Sequence, residues 1–311
     1  MKTIFISIIA ISLSFPGWTQ KSAMLKLNMQ PNKTYNLKST SQQNMSQSMG
    51  GMQQNTVTNS TTILSIRLME KDTDFMVVEI RFDSIKINTS NPAMNFSINS
   101  ANPGDLYSTN IGDVLSVFMH RYCSNPLYAK MTYEGNVIDF INIKLFTDMM
   151  LKDVDSIKTQ MAPMIKARAG MIADPKAIQS TVESILAYLP GKKVEAGDSW
   201  DISQDLNSGG MMYQVKSHYI LNEIKDDKAD ISYESTMDPA NSGPVQMYGS
   251  TITNNIRGTG KSTMTVDTNT GLLIESSGKY HMEGDMGIEA QGRNMNIPTT
   301  IDGETKIEIL P

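Results

Sequence analysis

Cysteine is almost missing from this sequence: Cys123 is the only one in 311 residues. No intramolecular disulfide can form, so the fold must rest on packing, and Cys123 reads as a small apolar residue at a helix end. Histidine is scarce too, with His120, His218 and His281 scattered along the chain. Neither HExxH nor CxxC occurs, and no pair of histidines has metal-ligand spacing. A G-x-S-x-G elbow is absent, which removes the commonest serine-nucleophile signature. The stretch "RGTGKS" (257–262) superficially resembles a phosphate loop but lacks its four-residue spacer and sits within a strand pattern. The sequence therefore offers no catalytic residue, no metal ligand and no cofactor site, and a non-enzymatic protein is expected.

Basic runs are absent as well. Lys and Arg number 27 against 32 Asp and Glu, so nucleic acid and anionic membrane surfaces are not expected partners. The one long apolar run is "IFISIIAISLSF" (4–15), preceded by Lys2 and followed by Pro16-Gly17. A run of about a dozen apolar residues falls short of the ~20 that cross a bilayer and reads as a secretory signal over residues 1–20. With no cysteine at the cut and no second such run, the expected mature chain is exported, soluble, and periplasmic or secreted, without a transmembrane segment.

What is abundant is alternation. From Leu272 to Ile288 the even positions carry Leu, Ile, Tyr and Met, while the odd ones carry mostly Glu, Lys, His and Asp. Period-two alternation marks a strand with one buried and one wet face. Ser250–Val266 repeats the pattern, as does the segment from Met295 to Ile309. "DTNTG" (267–271) and "AQGR" (290–293) supply the turns of an antiparallel meander. If the first turn pairs Val266 with Leu272, Gly260 faces Gly278 and Gly258 faces Tyr280; the second turn places Gly303 beside Tyr280. Glycines on the concave side let such long strands curl, with an aromatic shielding their backbone.

The same grammar occurs upstream. Leu64, Ile66 and Leu68 face Met76, Val78, Ile80 and Phe82 across "EKDTD" (70–74), and residues 213–221 face 229–233 across 224–228. A further hairpin turns at Glu134-Gly135-Asn136. Helical spacing marks Ile111–Tyr122, a stripe from Met149 to Ile165 with a kink at Pro163, and a helix that starts at Asp174-Pro175 and runs to Leu189. "PNKTYNLK" (31–38) and "EAGDSWDI" (195–202) rhyme as strand openings and suggest a degenerate duplication. The expected fold is mainly β: a long, curled antiparallel sheet or half-barrel of about ten strands with about three helices, the two central ones covering its concave face. One structural domain is expected, with a first β half over 21–143, a helical insert over 144–190 and a second β half over 191–311.

Two clusters invite a chemical reading. "QQNMSQSMGGMQQN" (42–55) spaces Met45, Met49 and Met52 as thioether ligands could be for Cu(I). Yet Met45 and Met49 share parity with Leu37, and Gly50-Gly51 is a turn signal, so the hairpin is the stronger reading. His281, Glu283 and Asp285 share one face as a weak cation site could, although a solvated face with mixed charges explains them as well.

The remaining signal is the concave face. Ile256, Met264, Ile274, Tyr280, Met282, Met286 and Ile301 are expected to line it, and methionine suits an apolar surface that must adapt. Three segments, "LKLNMQPNKTYNLKSTSQQNMSQSM" (25–49), "LPGKKVEAGDSWDI" (189–202) and "VDTNTGLLIESSG" (266–278), resemble an uncharacterised family of exported Bacteroidetes-type proteins, a domain of unknown function. That resemblance covers the mature chain and brings no site residues. At the level of architecture alone, the layout is also similar to the half-barrels that carry lipoproteins across the periplasm. The expected function is binding of a lipid or other hydrophobic small molecule. The alternative is a structural or interaction module with a filled core that meets another envelope protein. An enzyme, or copper binding by methionine, ranks third.

Overall fold

In the computed structural model, the described residues are 21–92, 95–159, 161–208, 211–240, 243–247, 250–290 and 293–311. The export signal read at residues 1–20 lies outside them. The first strands are β1 (Ser22–Met24), β2 (Thr34–Met49), β3 (Met52–Lys71), β4 (Met76–Ser90) and β5 (Asn95–Asn99). Helix α1 (Ile111–Ser124) leads to β6 (Leu127–Met131) and β7 (Val137–Phe140), then to α2 (Ile143–Met150), α3 (Ala162–Ile172) and α4 (Pro175–Leu186). The chain continues through β8 (Lys193–Glu195), β9 (Ser199–Ser208), β10 (Met211–Lys225), β11 (Lys228–Pro239), β12 (Val245–Met247) and β13 (Ser250–Asn254). It ends in β14 (Arg257–Asp267), β15 (Leu273–Ala290) and β16 (Arg293–Leu310).

The protein is mainly β, built on one large curled antiparallel sheet that does not close into a barrel. The main path runs β7-β6-β4-β3-β2-β16-β15-β14-β11-β10-β9, with β5 pairing β4 and the β12–β13 hairpin joining β15. β1 and β8 form a separate two-stranded piece. Among the described residues, nine strands have ten residues or more, close to the expected ten, and the other seven have three to five. With 18 residues, β15 and β16 each reach roughly 60 Å at ~3.3 Å per residue.

Alternation explains the pairing. Leu64 registers with Phe82, Ile66 with Ile80 and Leu68 with Val78, and Tyr219 registers with Tyr233. The Gly50-Gly51 turn joins β2 to β3 with φ of 57° and 82°, a left-handed pair that a tight hairpin requires and glycine supplies without strain. One predicted register is corrected. A bulge at Thr265/Val266 pairs Val266 with Leu273, so Gly260 faces Tyr280, Gly258 faces Met282, and Ser262 faces Gly278. Tyr280 thus lies between two glycines, because Gly303 flanks it on β16 as expected. The expected single strand over 250–266 is interrupted at residues 255–256, although its register with β15 is the same on both sides. Gly284 has a φ of 150°, and a Cβ there would overlap the backbone of Asn255 and Ile256, which lies directly against it.

Helices fill one end of the apolar face. Tyr122 of α1 packs on Phe82 and Phe146, with ring centroids 4.6 Å and 5.1 Å away. The kinked helix expected through Pro163 is instead two helices separated by a short 3-10 turn, and Pro163 sits in the first turn of α3. There its missing N–H is no loss. Asp174 caps α4 by accepting from the Lys176 N–H at 3.0 Å, and the helix stops at Leu186, short of the expected Leu189.

Helix α4 also spans the two free edges of the sheet. The Glu183 carboxylate accepts from the Val137 N–H of β7 at 2.8 Å. On the other edge, the Ser180 hydroxyl accepts from the Asn207 N–H of β9 at 3.1 Å, and Gln204 donates to the Ala187 carbonyl at 2.7 Å.

The segment through Leu25, Leu27 and Met29 seals this end. Leu25 N–H donates to Lys192 O, Leu27 N–H to Tyr133 O and Asn28 N–H to Thr270 O. Gly271, with a φ of 71°, lets the "DTNTG" turn lie directly against the Lys26 carbonyl. The three segments quoted for the family resemblance therefore meet in one place.

Candidate functional site

Two apolar clusters occupy the sheet. The larger unites the helices, the residue 25–29 segment and the adjoining strand ends. The smaller lies farther along the strands and is built from Tyr213, Ile256, Met282 and Ile301, with Met45, Leu206, Met211, Met237, Tyr280 and Met286 packed against them. Among the described residues no helix contributes to it. The Ile256 backbone lies against Gly284, and five of the cluster's ten members are methionines.

Of the residues expected on the concave face, Ile256, Tyr280, Met282, Met286 and Ile301 come together here. Met264 belongs instead to the main core. Ile274 occupies the bulge opposite Thr265/Val266 and joins neither cluster, since Leu273 has taken the inward position. Sequence alternation gave less warning of Tyr213, Met45 and Met237, whose contribution depends on how far the sheet curls.

Between the clusters the inward positions are small and hydroxylated. The Ser217 and Ser235 hydroxyls hydrogen-bond at 2.7 Å, and Thr305 donates to Ser41 at 3.4 Å. Trp200, Tyr219 and Tyr233 stack across three strands at the edge of this band, with centroids 5.6 Å and 4.8 Å apart. Burial pushes the Tyr219 hydroxyl far above its ordinary pKa, so this phenol stays un-ionised.

The opposite face holds a hollow of about 1040 Å³. Its walls include Thr40, Gln42, Glu234, Lys261, Lys279 and Lys306, of the parity opposite to the apolar clusters, and between them it reaches Ser41, Tyr233 and Thr305 of the inward parity. Twist accumulates along strands of this length, so the mostly polar face can be concave at mid-strand as well. Its charges are internally matched: Lys261 pairs with Glu234 at 2.7 Å and Lys279 with Glu304 at 3.6 Å.

The histidines do not meet. His120 hydrogen-bonds to Ser100 O, His218 to Asp201 and His281 to Asp302. The Asp302 carboxylate, aided by Glu283, raises the pKa of His281. Among the described residues no group of three or more His, Cys, Asp or Glu is placed to hold a metal ion. Burial pushes the Cys123 thiol up and away from the reactive thiolate. No helix among the described residues is long and apolar enough to cross a membrane.

A family model described as a family of unknown function, DUF6263, matches residues 73–273. The chain belongs to this family. No curated protein matches this DUF6263 member. Among solved structures it is similar to a lipovitellin described for its lipid–protein interactions, at 9% identity and a TM-score of 0.48, covering 91% of this chain and 26% of that one. It therefore spans about a quarter of the lipovitellin chain. It is also similar to an outer membrane channel from Pseudomonas putida F1, at 4% identity and a TM-score of 0.23 over 92% and 98% of the two chains. A DUF1329 family protein from Desulfovibrio piger matches at 9% identity and a TM-score of 0.13, over 86% and 83%.

Proposed function

We propose that this DUF6263 protein is a non-enzymatic, exported envelope or periplasmic protein that binds an apolar or lipid-like ligand on the apolar face of its curled sheet. The carrying observation is the smaller cluster: apolar, distinct from the core, free of helical cover and half methionine. Unbranched thioether side chains repack at low cost, which suits a surface that closes on itself when empty and spreads around a chain when occupied. The β halves over 21–143 and 191–311 act as one domain in this reading, with the 144–190 insert closing one end. The test is native mass spectrometry with solvent extraction of the purified protein, alongside uptake of an apolar fluorescent dye. A co-purifying amphiphile and saturable dye uptake are expected; finding neither refutes the reading.

A second reading has its own support in the polar-face hollow. There the protein is an interaction module whose Thr- and Lys-lined trough receives an envelope protein while the apolar face stays filled. A stoichiometric protein recovered from envelope extracts, without lipid, would favour it.

A further inference from the structure

The smaller apolar cluster contains one polar group that its packing does not satisfy. Asn254 stands on β13 at inward parity, registered opposite Met286. Its Oδ1 accepts from the Ile256 N–H at 3.1 Å, which fixes the amide orientation and turns Nδ2 the other way. That nitrogen is sealed from solvent, and no hydrogen-bond partner satisfies it. Beside it lies the buried Tyr213 hydroxyl, whose pKa burial raises and a loose contact from the Asn254 amide partly lowers; that contact falls outside hydrogen-bond geometry, and a carboxamide has two N–H donors, so it leaves the amide under-satisfied. Leaving a buried donor unmet costs about 1–3 kcal/mol, so an unsatisfied amide in an apolar cluster calls for an explanation.

We infer that Asn254 and Tyr213 form the polar anchor of the ligand site, donating to an uncharged oxygen acceptor at the head of an acyl chain. Asn254 has its oxygen engaged by the Ile256 N–H and an amide N–H left unmet, so the complementary ligand atom is an oxygen lone pair. Charge then narrows the class. The inward positions flanking the pair, Met237, Met282, Met286, Thr299 and Ile301, are uncharged, and Arg257 stands on the other face, 3.7 Å from Asp238. An ionised carboxylate or phosphate here would be buried without a counter-charge, which is strongly unfavourable. An ester or amide carbonyl suffers no such penalty. The ligand class is thus a neutral acyl ester or acyl amide, its chain running over Met282, Met286 and Met45.

This inference rests on the ligand-binding reading, and the experiment separates the two. N-phenyl-1-naphthylamine bound to the purified protein is displaced by methyl laurate, by dodecane, or by laurate at a pH where the acid is ionised. Methyl laurate is expected to compete about three- to tenfold better than dodecane, the range a single net hydrogen bond provides, and better than laurate. Asn254→Leu should bring methyl laurate level with dodecane while dye uptake persists. Tyr213→Phe, which keeps the ring, carries the same expectation should the first variant fail to fold. Equal competition by ester and alkane in the wild type, or an ester preference that survives both substitutions, overturns the polar anchor and leaves the ligand reading standing. Absence of dye uptake overturns both.

Discussion

Tyr280 and Gly303 face each other across β15 and β16, and a Cβ built on Gly303 would overlap the Tyr280 ring at Cζ and Oη. Gly303→Ala should therefore force the ring aside, an overpacking change that costs about 1–3 kcal/mol. Removing the ring first reverses the sign. In a Tyr280→Ala background the methyl has open space, and alanine in a strand is favoured over glycine by roughly 0.5–1 kcal/mol. Summing the two, the double-mutant cycle should give a coupling of about 1.5–4 kcal/mol, in or above the upper half of the range for contacting residues. Urea unfolding followed by Trp200 fluorescence and far-UV circular dichroism measures all four proteins. If Gly303→Ala costs the same with and without the ring, Tyr280 does not shield that glycine and the account of the strand curl is wrong.

Further expectations concern the sealed end and the charged groups. Leu27 is fully buried where the N-terminal segment meets the 132–136 and 267–271 turns, so Leu27→Ala should lower stability by about 2–5 kcal/mol; a loss below about 1 kcal/mol in urea would show that this segment is not part of the core. Burial pushes the Glu79 carboxyl up, but hydrogen bonds from Arg81 and Arg67 outweigh it and leave a lowered pKa. Its stabilisation is then present above the unfolded value and lost as pH falls through the folded one. Glu79→Gln should flatten that acid-side loss and cost about 1–3 kcal/mol at neutral pH, the two guanidiniums being half exposed. For His281 the sign is opposite. Its pKa is raised above 6.5 chiefly by the Asp302 hydrogen bond, so the favourable contribution is complete below the ordinary value and disappears as pH rises through the raised one. Asp302→Asn should move the His281 titration downward in an NMR pH series, and an unchanged midpoint would contradict the pairing.

Much of the sheet was legible because its signals are local. Alternation through residues 272–288, the Gly50-Gly51 pair and the Asp174-Pro175 cap each depend on a few neighbouring residues, and each has its structural counterpart. The departures arise where distant segments compete. Ile274 loses its inward place because the tight turn at Gly271 must meet the Lys26 backbone, which pulls Leu273 inward and leaves one residue over. Pro163 reads equally well as a kink or a helix start, and only the packing of α2 on α1 separates the two. The polar-face hollow had no signature at all. It follows from twist accumulated across strands, to which each Thr or Lys contributes nothing distinctive. Asn254 was hidden for a related reason: in a strand rich in Thr and Asn, an inward amide looks like one more solvated residue.

One pairing has a consequence for how the protein is made. Strand β2 finds its second neighbour in β16, so that Asn36 to Gln47 must wait for residues some 260 positions away, as Ser41 opposite Thr305 illustrates. Until the segment 293–310 is available, β2 can pair only with β3 and keeps a bare flank. Assembly governed by such remote contacts is slow, and a polypeptide delayed in this way remains threadable. For a protein proposed to leave the cytoplasm, the strand order itself would postpone folding until passage is complete.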